Sequence, residues 1–143
     1  MIVSIKILLW THMKKLYECM EIKKVNTSQA REAIYKLLLE VNSCMSVADI
    51  THKLAESYQR KVSLNTIYRH LTLFVDCGLV IVLQDDHKKA YYCVCGNKAK
   101  AFSICPKCSD LSEVNDGLEV ETLLSTLKAK EFITVHKVCK ACA

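Results

Sequence analysis

The sequence predicts an α+β chain in two parts, three short helices closed by a hairpin and then a smaller strand-strand-helix-strand unit. Three observations predict it. Apolar residues recur at helical spacing in three successive segments, each preceded by a serine able to cap a helix. Two β-prone runs then flank the polar stretch Gln84-Asp85-Asp86-His87-Lys88-Lys89. Finally, two Cys-x-x-Cys pairs, Cys105-Pro106-Lys107-Cys108 and Cys139-Lys140-Ala141-Cys142, bracket the C-terminal part.

The helices follow in order. Ser28 opens the first, over residues 28–41, with Ala30, Ile34, Leu37 and Leu38 at helical spacing and Asn42-Ser43 as its end. Ser46 opens the second, over residues 47–57, with Val47, Ile50, Leu54 and Ala55 on one face and His52 off it, in solvent. After the polar connector Gln59-Arg60-Lys61-Val62, Ser63 opens a third helix whose stripe is Leu64, Ile67, Leu71, Phe74 and Val75. Gly78 stops it, because a helix end favours a residue free to turn left-handed. Strands over residues 79–83 and 90–95 complete the order of a winged helix-turn-helix. Past Gly96-Asn97-Lys98, strands over 101–104 and 111–114, an amphipathic helix over 119–129 (Val120, Leu123, Leu124, Leu127) and a strand over 132–138 form the second unit. The expected division is 1–24 as an N-terminal extension or helix, 25–95 as the winged helix and 96–143 as the small C-terminal unit.

Two Cys-x-x-Cys turns each offer an edge of a sulfur tetrahedron, and Zn²⁺, with no d-electron preference, accepts it. Cys105, Cys108, Cys139 and Cys142 are therefore expected to hold one structural zinc, closed to water and without catalytic use. Disulfides, a thioredoxin-like redox motif and chance proximity are the competing explanations. No paired acid and base stands beside either motif, which argues against an enzyme. Nine cysteines in all is an odd number, and no export signal is evident, so a reducing cytoplasm with metal-bound thiolates is expected. Cys19, Cys44 and Cys77 read as small buried or incidental residues.

The 143 residues are 51% hydrophobic, enough for a core, and the net charge of +5 permits an anionic partner without demanding one. Residues 2–10 are apolar apart from Ser4 and Lys6, too short a run for a bilayer, which takes about 20 residues. The segment is expected to be an extension of little structural importance, with Met13 and Met20 as alternative starts.

On the polar side of the third helix stand Ser63, Asn65, Thr66, Tyr68, Arg69 and Thr72. Arg69 can donate two bonds to a guanine, Tyr68 can touch thymine methyls, and Ser63 and Thr66 can bind phosphate. By composition alone an ordinary solvated face explains them as well. Context changes that weighting: Ser63-Leu64-Asn65-Thr66-Ile67-Tyr68-Arg69-His70-Leu71 followed by Cys77-Gly78-Leu79-Val80 resembles the Ser-x-Ala-Thr-Val-Tyr-Arg-x-Leu … Gly-Leu-Val segment of the ferric uptake regulator family of metal-dependent repressors. Ser28-Gln29-Ala30-Arg31 is similar to that family's Thr-Pro-Gln-Arg helix start, and both cysteine pairs stand where its structural zinc ligands stand. The resemblance covers residues 25–142 and is nearest the zinc uptake regulator branch. It implies a homodimer that binds a palindromic operator in double-stranded DNA, away from any membrane, with Tyr68 and Arg69 as the base-reading pair and residues 96–143 as the dimerisation unit.

The chain also departs from the family. Where the family carries a histidine-rich sensing segment, this chain has Gly96-Asn97-Lys98-Ala99-Lys100-Ala101, and a protonated lysine is a poor ligand. His87, Cys93, Cys95 and Glu113 remain as candidates for a second, regulatory Zn²⁺ or Fe²⁺, with zinc favoured by the sulfur and imidazole donors. Cys93 and Cys95 are expected to face apart on their strand, His87 to lie in an exposed turn, and His70 to face DNA or solvent. The expected function is metal-responsive repression of metal homeostasis genes. The alternative is a degenerate member that binds DNA constitutively or responds to peroxide, with structural zinc only.

Overall fold

The polar caps marked in the sequence set the helix starts. In the computed structural model, which describes residues 2–143 except Thr27, Gln59, Asn97 and Asp116, with side chains from Leu9 onward, four helices are followed by four strands, a fifth helix and a fifth strand, an α+β order. Met1 and the apolar side chains of residues 2–8, with Thr27, Gln59 and Asn97 of the expected connectors, lie outside the described residues. Helix α1 (Ile2–Ile22) precedes α2 (Gln29–Val41), α3 (Val47–Ser57) and α4 (Leu64–Asp76). Ser28, Ser46 and Ser63 accept bonds from the backbone N–H groups of Arg31, Asp49 and Thr66, and Asp49 answers Ser46 to complete a capping box. Asn42 closes α2 in the left-handed conformation at φ 49°. Gly78 follows α4 at φ 72°, and the Leu79 N–H returns to the Phe74 carbonyl.

Strands β1 (Val80–Gln84) and β2 (Ala90–Val94) pair antiparallel, with Val80 opposite Val94 and Gln84 opposite Ala90. Buried Asp85 organises their turn, accepting the N–H groups of His87 at 2.8 Å and Lys89 at 3.0 Å and the Tyr91 hydroxyl at 3.3 Å. A single antiparallel bridge, Met45 to Tyr92, adds the α2–α3 connector to the hairpin's other side. The second sheet has order β4-β3-β5, with β3 (Lys100–Ile104) central, β4 (Leu111–Glu113) antiparallel to it and β5 (Phe132–His136) parallel to it. The strands expected over 101–104, 111–114 and 132–138 are all present, with the pairing set by the fold. Helix α5 (Leu118–Ser125) is shorter than the 119–129 expected, because Thr126 turns back on Leu123 and the Glu131 carboxylate takes the Lys128 N–H.

The main core joins Leu16, Ile34, Tyr35, Leu38, Ile50, Ile67, Leu71 and Phe74, all at most 3% exposed, with Tyr35 and Phe74 rings 5.2 Å apart. One expectation is corrected here. Helix α1 is no dispensable extension, since Met13, Leu16, Cys19 and Met20 fill one stripe at helical spacing and are buried in that core. The apolar run near the N-terminus misleads, since Trp10 at its end is 67% exposed and the packed stripe begins after it. A second apolar cluster, Ile81, Leu83, Cys93, Phe102 and Ile104, ties the hairpin to β3 and so joins the two sheets. Among the described residues no helix is long and apolar enough to cross a membrane.

Candidate metal centre and nucleic-acid interface

Parallel pairing of β3 and β5 sets Ile104 opposite His136, so the first cysteine pair leaves β3 beside the segment that carries the second. The Cys139 N–H points at the Cys105 sulfur at 3.4 Å, and the Cys105–Ser109 turn closes with a 2.8 Å backbone bond. All four sulfurs of Cys105, Cys108, Cys139 and Cys142 lie within 4.8 Å of one another, and Cys108 and Cys139 are 3.7 Å apart. A zinc–sulfur tetrahedron with bonds of about 2.3 Å has edges of about 3.8 Å, so the donor set fits Zn²⁺ in spacing and softness. Backbone N–H groups of Cys139 and Cys108 hold the Cys105 thiol down at about 6, toward the thiolate a metal needs. No disulfide joins these four, and the arrangement leaves no edge for a substrate.

Helix α4 buries Ile67, Leu71 and Phe74 and turns Ser63, Asn65, Tyr68 and Arg69 outward, with Tyr68 48% exposed. Thr66 is half-buried, and its hydroxyl meets that of Ser63 at 2.9 Å, so these two rigidify the helix start they also present. His70 is the exception on this helix. Expected to face DNA or solvent, it is 3% exposed, and Arg31 Nε donates to its Nδ1 at 3.3 Å. Its Nε2 is buried without a hydrogen-bond partner. Burial, with the Arg31 and Arg69 charges, pushes its pKa down to about 4, so the ring is neutral at pH 7. Arg31 also donates from Nη1 to the Asn26 carbonyl, which braces the start of α2 against α4. Arg31 entered the sequence comparison only as part of a helix-start motif, and its contact with a residue 39 positions away has no local signal.

The residues considered for a second metal are spread out. His87 lies exposed in the hairpin turn, its backbone held by Asp85. Cys93 and Cys95 do not face apart, since positions two apart on a strand share a face, and both pack with Ile81, Leu83, Phe102 and Ile104. Cys93 shares the lining of a small cavity with Cys44, while Cys95 lines a cavity of about 650 Å³ against α1, with His12, Lys15 and Lys130. Glu113, on β4, lines a smaller cavity of about 150 Å³ with Cys44 and Cys93. Lys100 reaches the same place, its Nζ 3.8 Å from the Cys93 sulfur and 3.2 Å from the Val94 carbonyl. The hydrogen bond from Cys44 holds the Cys93 thiol down at about 7, and the Lys100 charge adds to it against burial. His136, the histidine nearest the second pair, is bound to Asp86 at 3.1 Å. Cys19 and Cys77, read as small buried or incidental residues, form a disulfide between α1 and the end of α4, and Cys44 lines one small cavity with Cys93.

Residues 23–141 match the Ferric uptake regulator family. The chain belongs to that family. It is accordingly a metal-responsive, DNA-binding transcription regulator and not an enzyme. The ferric uptake regulation protein of Staphylococcus aureus is 27% identical over 116 residues, 78% of this chain and 84% of that protein. Among solved structures, the Helicobacter pylori ferric uptake regulator, in which three functional metal sites are described, shares the fold at TM-score 0.75 and 20% identity, covering 94% of this chain and 93% of that one. A zinc uptake regulator solved with zinc and DNA superposes at TM-score 0.54 and 20% identity, with 94% of each chain covered.

Proposed function

We propose that this family member is a cytoplasmic homodimer, clasped by one zinc per chain, that represses metal homeostasis genes by placing α4 of each subunit in successive major grooves of a palindromic operator. One observation carries the DNA reading: α4 is anchored by three fully buried apolar residues while its outward face offers Asn65, Tyr68 and Arg69 unobstructed. Ser63 and Thr66 at its start carry hydroxyls of the kind that bind phosphate. The +5 net charge and the zinc- and DNA-bound relative support the same reading. Residues 25–95 then form the DNA-binding unit and 96–143 the dimerisation unit. Leu118, Leu123 and Val135, 79%, 55% and 42% exposed on and beside the second sheet, supply an apolar face suited to a second copy.

Zn²⁺ held by Cys105, Cys108, Cys139 and Cys142 would supply a rigid cross-link between β3 and the chain end and no reaction chemistry. For the effector there are two readings. In the first, a second Zn²⁺ or Fe²⁺ binds among Cys93, Cys95, Glu113 and His87 and shifts the population toward the DNA-competent arrangement. In the second, structural zinc is the sole metal and DNA binding does not require another. The Lys100 ammonium beside Cys93 favours the second, because it already supplies a positive charge to the sulfur a metal would take. Substituting Arg69→Ala tests the function. Selection from random duplexes followed by competition binding should show one base pair per half-site losing about 1–3 kcal/mol of discrimination, with zinc content and far-UV circular dichroism unchanged. Operator preference identical to the parent would remove α4 as the reader.

A further inference from the structure

The Met45–Tyr92 bridge fixes more than the connector. Both of its hydrogen bonds are present, from Met45 N to Tyr92 O at 3.0 Å and from Tyr92 N to Met45 O at 2.8 Å. The residues one step outward from this isolated bridge are Cys44 and Cys93, and in a regular antiparallel ladder a pair so placed is non-hydrogen-bonded, with Cα atoms about 4.5 Å apart. Such a separation falls within the range of about 4.4–6.8 Å that a disulfide spans. The Cys44 side chain packs against the apolar cluster that contains Cys93. A cavity of about 150 Å³ meets both, lined also by Ser43, Ser112 and Glu113, so a small polar molecule has a way in. Lys100 Nζ stands 3.8 Å from Cys93, and Cys44 is the more accessible of the two.

We infer that Cys44 and Cys93 form a peroxide-oxidised dithiol, a modification site separate from the zinc cysteines that closes reversibly to a disulfide. The inference rests on the reading in which structural zinc is the sole metal. In the first step the Cys93 sulfur attacks one oxygen of a hydroperoxide. An S–O bond forms as the O–O bond breaks, and the remaining oxygen leaves as water or an alcohol after taking a proton. In the second, the Cys44 sulfur attacks the sulfenic acid on Cys93, the S–S bond forms, and the sulfenic oxygen departs as water with the Cys44 proton. Two electrons pass from the two sulfurs to the peroxide, and a dithiol reductant reverses the change. The product pins the α2–α3 connector to β2 and takes from Lys100 of β3 the sulfur it touches, so the event falls where the winged helix meets the second sheet.

Zinc-loaded full-length protein treated with one equivalent of hydrogen peroxide tests this by peptide mapping. The expected product is a crosslinked peptide containing Cys44 and Cys93, lighter by about 2 Da than the two thiols and restored by dithiothreitol, with zinc content unchanged. In Cys44→Ser the reaction should stop at a Cys93 sulfenic acid that a sulfenate-trapping dione captures, and Cys93→Ala should abolish the crosslink. Parent protein in which Cys44 and Cys93 stay reduced while the four-cysteine set oxidises and releases zinc would overturn the inference, and so would a second equivalent of bound zinc that shields both thiols. Because the readout is covalent, failure of the DNA-reading proposal, seen as absent operator selection by the reduced protein, is scored separately.

Discussion

At the scale of single residues, the recognition helix is held by a contact the helix itself does not announce. His70 follows Arg69 directly and belongs to a polar motif, yet it is buried and accepts a hydrogen bond from Arg31. Its pKa is lowered from 6.5 to about 4, chiefly by burial, so the unfolded chain binds a proton over that interval and the folded one does not. Stability attached to His70 is therefore complete above about pH 6.5 and is lost as the pH falls toward 4, at up to about 1.4 kcal/mol per pH unit. Urea denaturation of the parent and of His70→Gln across this range should give curves that converge with falling pH, the variant lacking the extra slope. Parallel curves would mean that the buried ring does not control acid sensitivity. Arg69 and Tyr68 were legible from residue type and spacing, because outward polar positions on an amphipathic helix follow from its period. The burial of His70 was not, since it depends on a partner on another helix.

Among elements, what was local was readable. The three serine caps and the Gly78 stop set helix ends to within a residue or so, because each cap bonds a neighbour three or four positions away. Gly78 carries two constraints, a left-handed backbone at φ 72° and a Cβ position that would fall on the Lys130 side chain. Gly78→Ala should therefore lower stability by about 1–2 kcal/mol in chemical denaturation through the backbone alone. Adding Lys130→Ala should recover only the steric excess, because a lysine tail can move aside. Full recovery in the double variant would show that the conformation contributes nothing. The packing of α1, the Cys19–Cys77 link and the Met45–Tyr92 bridge were hidden for the opposite reason: each is a meeting of distant segments whose own sequences look unremarkable alone. Helix α5 was recognised by its apolar period, and that same period leaves Leu118 and Leu123 exposed in a single chain.

For the whole molecule, the paired Cys-x-x-Cys spacing points to a four-cysteine cluster that could hold a metal ion, since each turn needs only its own four residues. The parallel β3–β5 pairing that brings the turns together was not written in either. Structural zinc in such sites carries apparent free energies of about 10–16 kcal/mol, more than a small sheet can replace. Stripping the metal with a strong chelator, or substituting Cys139→Ser, should reduce zinc from about one per chain to none and abolish the second sheet and its self-association. Elemental analysis with size-exclusion chromatography measures both, and an intact dimer without zinc would deny the metal its structural role. Among the described residues, the buried core of the first part runs from Met13 to Val94. The clasp, by contrast, waits for β5 and for Cys142. A chain emerging in order can therefore build the first core before all four cysteines of the clasp exist, so any metal they hold is captured after that core has formed.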